Sequence, residues 1–115
     1  MESILTSVKK LLGITEGYNH FDSDIIMHIN SALFTLKQLG VGPSEGFTIS
    51  DKNAVWTDFV EDISKLEAVK TYVYLKVKLV FDPPASSAVM EAIKNQISEY
   101  EWRLNVEVET LTKNS

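Results

Sequence analysis

Two consecutive prolines, Pro83 and Pro84, place the tightest limit on how this chain can fold. Proline removes a backbone donor and disfavours helical geometry in the residue before it, so neither a helix nor a central strand runs through this point. The segments on either side must be separate elements, and Asp82-Pro83-Pro84 sets the angle between them.

The segment before the prolines allows two readings. Val73, Leu75, Val77 and Leu79 alternate with Tyr72, Tyr74, Lys76 and Lys78 as an edge strand would. Leu66, Val69, Val73, Val77 and Val80 also form an unbroken i, i+3, i+4 series, with Tyr72, Leu75 and Leu79 as a second seam beside it. The reach from Lys65 to Phe81 and the lead-in Leu66-Glu67-Ala68 favour a helix with a wide apolar surface. Beyond the prolines, Ser86 or Ser87 can cap another helix. Its core stripe is Val89, Ile93, Ile97, Tyr100 and Leu104, widened by Met90, and Glu91, Lys94, Glu99 and Arg103 form much of its solvated face.

In the first half of the chain, Ile4, Leu5, Val8, Leu11 and Leu12 mark an amphipathic helix. Ser3 is placed to cap it, Lys9 and Lys10 complement its C-terminal dipole, and Gly13 stops it. A second helix over 22–39 carries Ile25, Ile26, Ile29, Leu33, Leu36 and Leu39, with Gly40 as its stop. Asp22 is expected as its N-cap, with Phe21 and Ile26 as a hydrophobic staple. Residues 41–56 contain Gly42-Pro43, Gly46 and Asp51-Lys52-Asn53 around the apolar run Phe47-Thr48-Ile49. They read as a long surface loop, with room for a small hairpin, and as a candidate contact arm. The expected fold is all-α: a small bundle of about four helices with one long loop between the second and third. Residues 1–106 form the helical domain, and 107–115 a flexible tail.

A length of 115 residues suits one domain. Apolar residues at 44% and charged residues at 23% are those of a folded globular protein. With no cysteine, neither disulfides nor thiolate chemistry is available. No apolar run suggests a membrane span, and the interrupted N-terminus lacks the pattern of a signal peptide, so a cytosolic site of synthesis is expected. A net charge of -5 opposes close approach to phosphates, and the basic groups Lys9-Lys10 and Lys70, Lys76, Lys78 are small.

The polar residues give no positive case for catalysis. Asp24 and His28 are helical neighbours, but Asp22 and His20 supply no defined third metal ligand, so capping carboxylates and a surface histidine explain the cluster better. Asp58, Glu61 and Asp62 lack the alternating ligands and central glycine of a calcium loop and read as a solvated turn or helix start. Glu99 and Glu101 are two apart and point to different faces. No enzymatic activity, catalytic residue, cofactor or metal is expected. The aromatics are more informative: Tyr100 lies on the core stripe, whereas Trp102 should face away from it, toward a neighbour or the loop.

The run from Leu66 to Pro84, ending in Phe81-Asp82-Pro83-Pro84, resembles the phage head-tail connector, or head-completion adaptor, family. Ile4 to Gly13, Asp24-Ile25-Ile26-Met27-His28-Ile29-Asn30 and Glu99-Tyr100-Glu101-Trp102-Arg103 carry the same resemblance. It implies a virion protein assembled in the bacterial host cytoplasm. Its partners would be further copies of itself in a ring, expected to be dodecameric, the portal protein, and a stopper or tail-completion protein. Double-stranded DNA would pass through the channel without specific binding. A ring uses unlike patches on each subunit. The interface candidates are Tyr72, Leu75, Leu79, Phe81, Asp82, Pro83, Pro84, Trp102, Phe47 and Ile49. The competing reading is a small bacterial interaction or regulatory module, which predicts a fixed dimer or a one-to-one complex.

Overall fold

The other elements are laid around one helix, α4 (Ile63–Phe81), in the computed structural model, which describes residues 2–114 without the side chains of Glu107 and residues 109–114. Before it come α1 (Ile4–Leu11), α2 (Asp22–Gln38) and the single turn α3 (Trp56–Phe59), and after it α5 (Ser87–Asn114). Among the described residues there is no β-strand, and one isolated antiparallel bridge joins Ser3 to Val55. The flexible tail expected over 107–115 concerns side chains that, Val108 apart, lie outside the described set, although the backbone of α5 continues to Asn114.

The strand-or-helix ambiguity is decided by what α4 touches. Leu66, Val69, Val73 and Val77 from one seam, and Tyr72 and Leu75 from the other, are all buried. A strand would have put Tyr72 and Val73 on opposite faces, whereas a helix brings both seams against surrounding helices. α2 and α5 make the main packing contacts with α4, and α1 and α3 complete the enclosure. α4 starts two residues before the expected Lys65, because Asp62 caps it by accepting from the Ser64 backbone N–H at 2.9 Å.

Both glycine stops hold for the expected reason. At the end of α2, Gly40 has φ 88°, and the Gly40 and Val41 N–H groups donate to the Lys37 and Leu36 carbonyls at 2.9 Å each. This is the left-handed closure that glycine accepts at little steric cost. α5 packs over the same corner, where Asn105 Nδ2 donates to the Leu39 carbonyl at 3.4 Å.

The start of α2 departs from expectation. Phe21, not Asp22, occupies the N-cap position, and no side chain caps the helix there. That shift also removes the expected staple register. The Phe21 ring instead meets Phe81 edge-on at 5.3 Å, joining the start of α2 to the end of α4. The Asp22 carboxylate turns toward α1, where its Oδ1 lies 2.8 Å from Lys9 Nζ. Lys9 is only 2% exposed, and its ammonium also donates to the carbonyls of Glu16 and Tyr18, at 3.0 and 2.8 Å. One buried cation thus gathers the connection between α1 and α2.

The loop over 41–56 is pinned at its centre and at its end. Asn30 of α2 accepts from the Ile49 N–H at 2.8 Å and donates to the Ile49 carbonyl at 3.0 Å, taking the place a hairpin partner would have filled. No hairpin forms. The buried Trp56 indole donates to Ser7 Oγ at 2.8 Å, tying the loop's end to α1.

Lys9→Ala should lower unfolding stability by about 2 kcal/mol, less than the loss of one partner from a fully buried ion pair because Asp22 is partly exposed. Urea denaturation of both proteins measures this, and a loss below about 0.5 kcal/mol would show that Asp22 finds water instead.

Candidate functional site

Three of the acidic side chains singled out in the sequence, Asp22, Asp58 and Asp62, have structural partners. Asp58 Oδ2 accepts from the Val55 N–H at 3.0 Å, Asp62 caps α4, and Asp22 faces Lys9. The His20 ring packs edge-on against Phe21 at 4.8 Å. Among the described residues, no group of three His, Cys, Asp or Glu side chains is placed to hold a metal ion.

Three lysines of α4 are likewise engaged. Lys70 pairs with Glu2 at 2.8 Å, Lys78 with Asp82 at 3.3 Å, and Lys76 lies 6.0 Å from the centre of the Tyr72 ring. The Glu2 carboxylate raises the Lys70 pKa above its ordinary value. Dispersed in this way, the lysines of α4 do not build a continuous surface for phosphates.

The interface candidates separate into distinct environments. Tyr72 and Leu75 are buried in the subunit's own core, and Leu79 and Phe81 are partly buried against it. In the loop, Ile49 is buried, and the Phe47 ring packs on Phe59 at 5.5 Å. These residues serve the packing of the single subunit. Asp82 and Pro83 are exposed and Pro84 is half-buried at the α4–α5 turn. Trp102 stands 66% exposed on α5.

Two residues that sequence reasoning missed belong beside Trp102. Met27 and Phe34 on α2 are 60% and 56% exposed. They are seven positions apart and fall off the stripe of Ile25, Ile29, Leu33 and Leu36, so they share the outer face of the helix. Apolar residues on the wrong side of an amphipathic helix were the signal that would have found them. Beside Phe34, the helix and the loop enclose a groove of about 330 Å³ lined by Phe34, Lys37, Glu45, Gly46, Phe47 and Thr48.

The two outward faces are held in place through α4. Its Tyr72 hydroxyl donates to Glu101 Oε2 of α5 at 2.7 Å, fixing the rotation of α5 so that Trp102, the next residue, points away from the core. Glu99 reaches Arg103 on the exposed surface, so the two glutamates do lie on different faces. Burial, reinforced by Glu101, pushes the Tyr72 phenol far above the ordinary tyrosine range.

Residues 4–110 match a family model described as phage connector protein. No curated protein and no solved structure matches the chain.

Tyr72→Phe should cost about 1 kcal/mol at neutral pH by removing the bond to Glu101. Because folding raises the Tyr72 pKa, the contribution of its proton is fully present below about pH 10 and is lost as pH rises above that value. Urea midpoints between pH 9 and 11 should therefore fall less steeply in Tyr72→Phe than in the parent; parallel slopes would contradict the coupling.

Proposed function

The chain belongs to the phage connector protein family, and from that premise we propose that it is the repeating subunit of a ring docked beneath the portal. The coarser role, structural and in head-to-tail connection, comes with the family. The finer reading is a closed ring, dodecameric in the virion, that extends the DNA channel from the portal toward a stopper or tail-completion protein.

The observation that carries this reading is a family match over residues 4–110 in a subunit with separate outward apolar residues on α2 and α5. A ring requires unlike patches on one subunit, so that each copy is bound on two sides. A net charge of -5, with Lys70 and Lys78 of α4 paired to Glu2 and Asp82, suits a channel through which DNA slides without being held. Among the described residues, no helix is long and apolar enough to cross a membrane. Assembly would proceed in the host cytoplasm, with the C-terminal end of α5 reaching adjoining virion proteins.

The Asp82-Pro83-Pro84 turn is assigned the role of holding α5 at a set angle to α4. Pro83→Ala combined with Pro84→Ala should leave helix content by circular dichroism nearly unchanged while reducing ring assembly several-fold. Equal assembly by the double variant and the parent would make the junction an ordinary turn.

Cryo-electron microscopy of the protein mixed with its cognate portal tests the main reading. A ring beneath the portal is expected. Monomers that ignore the portal, or a fixed dimer of the kind a small interaction module forms, would overturn it.

A further inference from the structure

We infer that α5 is an exchangeable arm: on assembly it leaves its own subunit and takes the identical seat on the next copy. This inference rests on the ring reading and names how one copy would hold another. The chain enters α5 through residues 82–86 alone, whereas α1, α2, α3 and α4 also pack on one another. The body of the subunit therefore has contacts of its own that do not depend on where α5 lies.

The seat for the arm is defined by what occupies it. Ile93, Ile97 and Leu104 are buried, Glu101 Oε2 accepts from the Tyr72 hydroxyl, and Asn105 Nδ2 donates to the Leu39 carbonyl. Beyond them Val108 rests on the bare backbone of Gly40, where an added Cβ would lie 2.8 Å from Val108 Cγ1. A second copy of this chain brings the same residues in the same register, so each of these contacts is recovered. Closed and exchanged forms then differ only at the junction and beside it. Under that condition, swapping an element is a low-cost route to assembly.

The junction favours the open form. Asp82 and Pro83 each precede a proline, which keeps both out of helical geometry and in extended backbone. Straightened, residues 82–86 reach about 15 Å at the rise of an extended proline segment. The closed turn is held by Lys78 Nζ, 3.3 Å from both the carbonyl and Oδ2 of Asp82 on the exposed surface, where an ion pair contributes little. Val80 and Val89, 59% and 48% exposed, flank the turn. Exchange brings two bodies side by side at this point, and their contact covers apolar surface that the closed subunit leaves in water. Each copy gives its arm to one neighbour and receives an arm from the other, so the contact is head-to-tail and can close into a ring.

The cysteine-free sequence makes the exchange directly testable. A Cβ at position 40 would lie 3.6 Å from the Val108 Cβ, a separation that a disulfide spans. The full-length chain carrying Gly40→Cys and Val108→Cys therefore ties each arm to whichever seat it occupies. Oxidised as a dilute monomer, it should run on a non-reducing gel as single chains. Oxidised at high concentration with the cognate portal, it should shift to a ladder of covalent multimers that neither single variant gives. Leu39→Cys with Asn105→Cys, joined by a short bismaleimide, repeats the measurement without the left-handed position, and circular dichroism checks the fold of both proteins. Single chains alone from both pairs under assembling conditions overturn the exchange, and rings seen by electron microscopy in that sample would leave the ring reading standing without it. A ladder accompanied only by open chains or dimers would keep the exchange and discard the closed ring.

Discussion

Burial of α4 on both of its apolar seams draws the inner faces of α2 and α5 against it and leaves apolar residues exposed on their outer faces. A single-striped helix needs one neighbour, whereas α4 carries Val69, Val73 and Val77 on one seam and Tyr72 and Leu75 on the other. Their enclosure requires helices on more than one side, and α2 and α5 take those places. The inner faces of these two helices close the core. Met27, Phe34 and Trp102 consequently stand on the outside.

Polar contacts then determine how precisely those outer faces are presented. The Tyr72 hydroxyl on Glu101 fixes the rotation of α5, and Asn30 on both backbone groups of Ile49 holds the loop that forms one wall of the groove beside Phe34. At the other end of the subunit, Lys9 draws Asp22 and two carbonyls around itself, and Phe21 meets Phe81. Tyr72 with Glu101 and Phe21 with Phe81 join elements far apart in sequence, whereas Asn30 and Lys9 fasten the connecting segments beside their own helices. A bond of this kind contributes only about 1 kcal/mol net, but leaving its buried groups without partners would cost more. Polar satisfaction therefore selects one arrangement of the helices over other ways of covering the same apolar surface.

A connector subunit has demands unlike those of an enzyme. Asp58 and Asp62 cap helices, Asp22 pairs with Lys9, and the aromatics are divided between core and surface. Trp56 and Trp102 make the division plain: the first is buried with its indole N–H satisfied by Ser7, and the second projects from α5. Aromatic rings serve both purposes because they bring a large contact area at low conformational entropy cost.

Local pattern determined the helices themselves. The i, i+3, i+4 series, the glycines after α1 and α2, and the prolines after α4 act within a turn or two of the chain, so their effects were legible in order along it. The exposure of Trp102 was legible too, since its phase on the helix opposes the Ile93, Ile97 and Leu104 stripe. Tertiary structure alone decided that Tyr72 and Leu75 belong to the core, that Asp22 leaves its expected cap for Lys9, and that the loop forms a groove rather than a hairpin. Those outcomes depend on which groups come within a few ångströms after the helices pack. Periodicity shows which faces a helix must bury, but it carries no record of the partner each face will meet.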